Sequence, residues 1–481
     1  MMNTYVLVVE DEESVAETIS RALAELSNGL NVKVGRSRDA ASLLLDTEFF
    51  DLIVLDLNIP TTDGSLDSDP QHGFAVFTKA QSVTSGTPIF VLTGSSAEDF
   101  IPELLRGTRQ VDIWGEGKTV GTVDFLQKFR FDQFPNKLRP LIASVTALGD
   151  VELDKGGVTL SIQDDRLIRI FARKFGGARI VASVLGGGLS GAKVLRLKVT
   201  NAQGAPIHDA VAKLGSRADI AEEGKRFDQL VSRLEPRSTP RKLLEVDAGA
   251  GANAGVFYGL AAGFERTAFA GAAGSVTDAQ GVVAAIEACT SRWTDGVQQS
   301  RRTIREVRRL TVSDETCERL VEKFGLEWLA DFERRQIQTR WCCTHGDMHG
   351  ENVLLDNEGS AVIIDYGDVG EATASLDPVT LELSLLFHPK GPLRNSAKGF
   401  DGWPSETQAR NWGNIDMYVA GCPLEPFIRA CRAWALRVAA GKREVAATAY
   451  AYLLRQLKYD DTNKESAMAL LEGVRAFYEA T

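Results

Sequence analysis

Over the first 149 residues the apolar positions fall into short runs with a regular beat. TYVLVVED (4–11), NVKVGRS (31–37), DLIVLDL (51–57), PIFVLTG (88–94) and VDFLQKF (123–129) are strongly apolar or β-branched. Helical periods lie between most of them, as in SVAETISRALAEL (14–26), and PNKLRPLIASVTAL (135–148) closes the series. Buried apolar strands alternating with helices predict a parallel sheet covered on both faces. Five such strands suit a doubly wound, flavodoxin-like α/β sheet, whose site lies at the carboxyl ends of the strands.

The pattern changes after residue 149. DVELDKGGVTLSIQ (150–163) has no strong period and reads as connector. DDRLIRIFARKFGG (164–177) is a helical stripe ended by two glycines, either core or a lever between domains. IVASVLGGGLSGAKVLRLKVT (180–200) reads as strand, glycine loop, strand; AVAKLGS (210–216) is a further strand, and ADIAEEGKRFDQLVSRL (218–234) a helix. VVAAIEACTSRW, CERLVEKFGLEWLADFERR, LEPFIRACRAWALRVAAG and VAATAYAYLLRQLKY carry helical stripes. The expected organisation is therefore a domain at 1–149, a linker and connecting helix at 150–178, a small lobe at 179–265 and a large, mostly helical lobe at 266–481.

Composition narrows the classes. At 481 residues the chain exceeds one ordinary core, and 44% hydrophobic with 25% charged residues is the balance of a soluble globular protein. Net charge is −11, which argues against a nucleic-acid binder. The arginine-rich SRRTIREVRRL (300–310) is read as the solvated face of a helix. No apolar run reaches the roughly 18 residues of a membrane span and no signal peptide is evident, so a cytoplasmic location is expected. The six cysteines lack metal-ligand spacing and are read as reduced thiols.

The ends of the first five strands carry chemistry. The first ends in Glu10 and Asp11, the third delivers Asp56, the fourth ends in Thr93 and the fifth carries Lys128. Three carboxylates converging on one crevice repel one another unless a cation sits among them, and oxygen-only ligands favour Mg²⁺. A reachable carboxylate can act as a nucleophile toward phosphorus, with a hydroxyl and an ammonium holding the acyl phosphate oxygens. A surface acid cluster is the plain alternative, but five such residues at four of the five strand ends weigh against it.

Over residues 3–149 the chain resembles the receiver domain of bacterial two-component response regulators. The resemblance implies Asp56 as phospho-acceptor, Glu10, Asp11 and Asp56 as Mg²⁺ ligands, Thr93 as switch hydroxyl and a sensor histidine kinase or small phosphodonor as partner. Pro60 fits the proline four residues after the acceptor. Lys118 and Lys128 both follow the fourth strand; VDFLQKF looks like the family's lysine run, which selects Lys128 and puts Phe125 at the aromatic switch position. Two departures stand out: Phe129 replaces the proline after the lysine, and extra residues occur at 61–72 and around 108–122, the latter beside the surface receivers use for signalling. A homodimer through this domain is a further expectation.

Glycines 186, 187, 188 and 191 let a backbone approach a ligand with amides free to point at phosphate, although glycine turns in hairpins are common. Lys213 lies inside an apolar strand, where it is costly to bury without an anionic partner; Glu222 and Glu223 on the next helix are candidates, and snorkelling to the sheet edge is the alternative.

WCCTHGDMHGENVLLD (341–356) is a strand, a polar loop and a second strand, and VIIDYGD (362–368) ends a third apolar run. Asp347 and Asn352 are five positions apart, and Asp365 lies 13 beyond Asn352. Phosphoryl transfer needs a carboxylate to orient the attacking hydroxyl, then an amide oxygen and a second carboxylate to hold Mg²⁺ on the phosphates, and this is the kinase spacing. The loop resembles that of the aminoglycoside and choline phosphotransferase branch of the protein-kinase-like superfamily, over about residues 165–481. This implies a bilobal α+β fold, ATP and Mg²⁺ as cofactors, Asp347 as catalytic base, and Asn352 and Asp365 as metal ligands. It further implies that Gly187, Gly188 and Gly191 lie over the phosphates and that Lys213 contacts them, paired with a helix glutamate; Glu223 is preferred, ten positions after Lys213. His345 and His349 read as structural, with a substrate contact as the alternative, and Asp377, before a proline, as a cap for the helix at 378–387. No arginine precedes Asp347, which argues against control by a phosphorylated activation loop.

The leading expectation is a response regulator whose output is an ATP-dependent kinase, controlled through Asp56, with no DNA-binding or membrane segment. The alternatives are a non-catalytic ATP-binding scaffold, or a kinase acting on protein or nucleic acid in stress or phage defence.

Overall fold

The structure, a computed structural model, describes residues 2–94, 100–106, 108–185, 192–260, 263–274, 276–395 and 398–481, the side chains of 101, 105, 276 and 277 excepted. The chain divides into two compact units, Met1–Ala221 with Lys242–Leu260, and Glu222–Arg241 with Ala261–Thr481.

In the first unit the expected parallel sheet forms from β1 (Thr4–Val9), β2 (Leu30–Gly35), β3 (Leu52–Leu55), β4 (Ile89–Thr93) and β5 (Val123–Gln127), ordered β2-β1-β3-β4-β5. Every neighbour pair is parallel. The inner strands are apolar on both faces because each face is covered: Leu7, Ile53 and Val91 pack into one core, and Val6, Val54 and Leu92 into the other. The flanking helices start on side chains that hold their free amides, as Ser37 accepts from Ala40 N–H and Asp69 from Gln71 N–H.

A six-stranded sheet follows in the same unit, in the order Arg241–Val246, Asn253–Gly259, Pro206–Ser216, Lys193–Thr200, Arg179–Val184 and Glu152–Asp154. The last strand corrects the reading of 150–163 as plain connector: Glu152–Asp154 pairs in parallel with Arg179–Val181. Three residues are too few to show a period, so only the partner reveals the strand.

The helix Ile162–Lys174 settles the choice between core and lever. Leu167, Ile168, Ile170 and Phe171 are buried in one cluster with Ile113, Trp114, Val145 and Leu148 on one side of the chain and Leu195, Leu197 and Phe257 on the other. Its Arg166 is almost fully buried; Nε and Nη2 donate to the Asp51 carboxylate at 2.6 and 3.0 Å, and Nη2 also reaches the Asn3 carbonyl at 2.6 Å. Gly86 N–H donates to the Gly251 carbonyl at 2.8 Å, and Gly249 N–H donates back to the Gly86 carbonyl at 2.7 Å. A Cβ at Gly86 would fall 2.6 Å from the Gly251 oxygen, so the approach requires glycine. The 108–122 insertion joins this seam through Asp112–Lys174 (2.7 Å) and Glu116–Arg173 (2.9 Å). The two units therefore differ from the four expected segments: the first five strands and the six-stranded sheet share one body.

The second unit is mostly helical, with helices Val276–Thr294, Leu376–Phe387, Glu425–Val438, Lys442–Gln456 and Lys464–Glu479, and two small three-stranded sheets. One expected stripe breaks: CERLVEKFGLEWLADFERR becomes Asp314–Phe324 and Leu329–Glu333, separated at Gly325, whose φ of 66° ends the first helix. SRRTIREVRRL is also corrected. Its first part is the strand Gln298–Thr303 and only Ile304–Arg309 is helical. Arg308 is buried rather than solvated, donating to Glu333 at 2.8 and 2.9 Å and to Asp314 at 2.7 Å. Its acid partner lies 25 residues away, beyond the reach of a local pattern. All six cysteines are free and buried. Among the described residues no helix is long and apolar enough to cross a membrane.

Candidate functional sites

The carboxyl ends of the parallel strands bring the predicted acids together. Asp56 N–H continues the β3 ladder to the Val9 carbonyl at 2.9 Å, which sets Asp56 beside Glu10. Ligand oxygens of Glu10, Asp11 and Asp56 all lie within 4.8 Å of one another. Lys128 Nζ bridges two of them, donating to Glu10 Oε2 and Asp56 Oδ2, each at 2.8 Å. Lys118, the alternative lysine, is exposed. Thr93 is fully buried at the end of β4, in register with Gln127, and Phe125 is half-buried against the core under β4. From the 61–72 insertion, Ser68 Oγ donates to Asp11 Oδ2 at 3.1 Å.

Burial, and next the charge of Asp56, pushes the Glu10 carboxyl up to about 7; burial also raises Asp56. Burial alone would lower the Lys128 ammonium, but the Asp56 and Glu10 carboxylates outweigh it and its pKa rises. One ammonium among three carboxylates leaves an excess of negative charge. The oxygen-only donor set and the raised Glu10 both fit a small divalent cation such as Mg²⁺.

In the second unit, strand Gln336–Thr344 runs into the polar loop, and Val353–Leu355 pairs with Ala361–Ile363 beyond it. Ile364 N–H donates to the Asn352 carbonyl at 2.9 Å, so the hairpin sets Asp365 beside Asn352. Asp365 has φ 65°, the one positive φ outside glycine among the described residues. Such strain is held by its surroundings and clusters at functional sites. Asn352 is buried, and its Nδ2 donates to the Asp347 carbonyl at 2.9 Å. Asp347, Asn352 and Asp365 are thus gathered at one end of a hairpin.

The loop is clamped from below by Asp377. Its buried carboxylate accepts from His345 N–H at 2.8 Å and from Gly346 N–H at 3.1 Å. This corrects the reading of Asp377 as a cap. A cap bonds amides two or three residues downstream, whereas these amides lie 32 and 31 residues upstream. Ser375 occupies the N-cap position, and its side chain makes no bond to the helix amides. Burial raises the Asp377 carboxyl, and the two amides and the nearby His345 oppose it. Gly346 has φ 83°, and a Cβ there would fall 2.3 Å from the Asp368 carbonyl oxygen. The buried His345 ring contacts the Ile364 carbonyl through Nε2 at 3.1 Å.

The Asp347 carboxylate is held more loosely. It is 32% exposed, with Oδ1 3.6 Å from Arg455 Nη1 and Oδ2 3.6 Å from His349 Nε2. His349 packs against His388 with ring centroids 4.2 Å apart and the rings tilted by 32°. Burial lowers both imidazoles to about 4, so they are neutral near pH 7 and the His349 contact is not an ion pair.

Lys213 is buried in strand Pro206–Ser216 of the first unit. Glu223, in the second unit, is buried on helix Arg217–Gln229, whereas Glu222 is exposed and pairs with Arg226 at 3.3 Å. Gly186, Gly187, Gly188 and Gly191 lie outside the described residues.

Sequence reasoning passed over Arg455 and Glu444. Glu444 is buried and accepts from Arg340 N–H (2.8 Å), Ala440 N–H (2.7 Å) and Ser375 Oγ (3.0 Å), tying the strand that leads into the loop to two helices. Arg455 is the one charge in the run 445–456, the signal that could have singled it out; Glu444 sits in the charged triplet 442–444, which gives none.

Two family models match the chain. Residues 6–110 match the response regulator receiver domain, and residues 182–399 match the phosphotransferase enzyme family. The chain carries a response regulator receiver domain followed by a phosphotransferase-family domain. No curated protein matches it. Among solved structures, the Francisella response regulator 1452 receiver domain is 24% identical, covers 29% of this chain and 99% of its own, and has a TM-score of 0.21. The receiver domain of a sensor histidine kinase from Pseudomonas aeruginosa PAO1, described with magnesium ion coordinated in the active site cleft, is 16% identical over 29% of this chain and 99% of its own, TM-score 0.20. An aminoglycoside-3'-phosphotransferase of type VIII is 19% identical over 57% of this chain and 100% of its own, TM-score 0.31.

Proposed function

We propose that the output of this response regulator is an ATP-dependent kinase that phosphorylates an alcohol, and that phosphorylation of Asp56 controls it. The observation that carries the kinase reading is the contrast within one loop. The backbone of residues 345 and 346 is fixed by Asp377, while the Asp347 carboxylate stays partly open and makes only 3.6 Å contacts. A general base needs this: a fixed position and a free oxygen for an incoming hydroxyl. Asn352 and Asp365, side by side, supply the oxygens for a metal, and Lys213 supplies an ammonium for the nucleotide phosphates. Mg²⁺ held there would neutralise phosphate charge.

In the receiver domain the Asp56 carboxylate is the nucleophile toward a histidine kinase or a small phosphodonor. Glu10, Asp11 and Asp56 hold Mg²⁺, and Lys128 and Thr93 meet the acyl phosphate oxygens, with Phe125 as the aromatic switch. Labelled-ATP transfer into a whole lysate, separated into protein, nucleic-acid and small-molecule fractions, tests the kinase reading. Wild type should label one fraction and Asp347→Ala none, with ATP binding retained. Equal labelling by both proteins sinks it. Asp56 control fails if beryllofluoride, an acyl-phosphate mimic, leaves wild-type transfer unchanged.

A further inference from the structure

Helix Lys442–Gln456 ends against the catalytic loop and delivers Arg455, whose side chain is 20% exposed. Its Nε donates to the Tyr459 hydroxyl at 3.1 Å, and Nη1 stands 3.6 Å from Asp347 Oδ1. Among the described residues neither Nη group makes a hydrogen bond, so most donors of the guanidinium fork are available. They border a cavity of about 260 Å³, which Lys458, Tyr459, Gly346, Asp368 and Glu371 also line. That is smaller than the roughly 300–1,000 Å³ of drug-sized pockets, and suits one small polar molecule or group.

Resting on the kinase reading above, we propose that this cavity takes an acceptor alcohol bearing an anionic group, a carboxylate or a phosphate, which Arg455 and Lys458 hold beside the hydroxyl that Asp347 receives. The spacing supports it. A hydroxyl donating to Asp347 at about 2.7 Å and an anion accepting from Arg455 at about 2.8 Å would lie roughly 3–6 Å apart. That is the separation of neighbouring or next-neighbouring substituents on one carbon chain. A guanidinium binds carboxylate and phosphate through two parallel donors, so it fixes direction as well as charge. A cationic amino alcohol would put its ammonium next to Arg455, a like-charge contact that disfavours it. Asp368 and Glu371, both exposed, accept from further hydroxyls on the same molecule. In the transfer step the hydroxyl oxygen forms a bond to the γ-phosphorus of ATP and the bond from that phosphorus to the β–γ bridging oxygen breaks. ADP leaves with the electron pair, and the hydroxyl proton passes to Asp347.

The test is acceptor-dependent ADP release by the full chain with Mg–ATP, using glycerate, glycerol 3-phosphate, glycerol, choline and kanamycin as probes. Glycerate or glycerol 3-phosphate should be the best acceptors, and which of the two wins separates carboxylate from phosphate. Arg455→Gln should lower kcat/KM for the anionic probe at least tenfold more than it lowers kcat/KM for neutral glycerol, the extra loss falling mainly in KM. Arg455→Lys should recover part of the loss. Preference for choline or kanamycin, or an equal loss on all probes, overturns the proposal. Thermal protection by the anionic probe, present in wild type and lost in Arg455→Gln, reads the site without turnover. Protection without ADP release keeps the site and sinks the kinase reading, whereas ADP release to neutral or cationic probes alone keeps the kinase and sinks the site.

Discussion

The receiver acid cluster and the phosphotransferase loop treat a carboxylate in opposite ways. In the first, Glu10 and Asp56 are buried and share one ammonium at 2.8 Å, with a net excess of negative charge. In the second, charge is divided between two aspartates: Asp377 is buried with both oxygens engaged by amides, and Asp347 is partly open with neither oxygen inside hydrogen-bond distance of a described side chain. A carboxylate fully engaged by its own fold positions others. One left loosely engaged is available for chemistry. The receiver cluster lies between these cases, engaged but electrostatically unfinished.

Four experiments would break or sharpen that contrast. The largest effect should come from Asp347→Ala, which should cut transfer by about 10²–10⁴-fold, the usual contribution of a general base, with stability nearly unchanged; steady-state kinetics beside thermal melts check both halves. Next, Arg166→Leu should destabilise the first unit by about 3–5 kcal/mol, since it strands the buried Asp51 carboxylate. Urea melts should show this, and the double variant with Asp51→Leu should recover part of it. Asp377→Ala should cost about 2–4 kcal/mol because two buried amides lose their acceptor, and should lower kcat as well; a variant that loses stability but keeps kcat would show that the clamp does not position Asp347. The smallest effect is in pH. Burial lowers the His349 imidazole to about 4 in the folded chain, below its ordinary 6.5. The unfolded chain therefore binds more protons between those values. Stability is full above about pH 6.5 and falls as pH drops toward 4, by about 2–3 kcal/mol at most, and His349→Gln should flatten that part of the curve.

The five receiver strands were legible because burial on both faces leaves an uninterrupted apolar run. The acid cluster was legible because one topology sends every strand end to the same edge. Asp347, Asn352 and Asp365 were legible because they share one hairpin and so keep a fixed spacing. What escaped depends on partners far along the chain. Asp377 bonds amides 31 and 32 residues away, Arg308 finds Glu333 25 residues away, and Arg455 meets Asp347 across 108 positions of sequence. No periodicity within a 15-residue window carries that information. The role of helix Ile162–Lys174 was undecided because a stripe reports that a face is covered without saying by what.

The paired backbone bonds between Gly86 and Gly249–Gly251, with the Arg166–Asp51 pair, bear on engineering. Response regulators invite treatment as interchangeable cassettes, cut at the end of the receiver and grafted onto a new sensor. Here a graft at residue 149 would cut through shared core, leaving Asp51 without its guanidinium and Trp114 without its cover. The receiver strands and the six-stranded sheet that opens the phosphotransferase match share one unit, so rewiring the input means redesigning a surface on a fixed body rather than replacing a module.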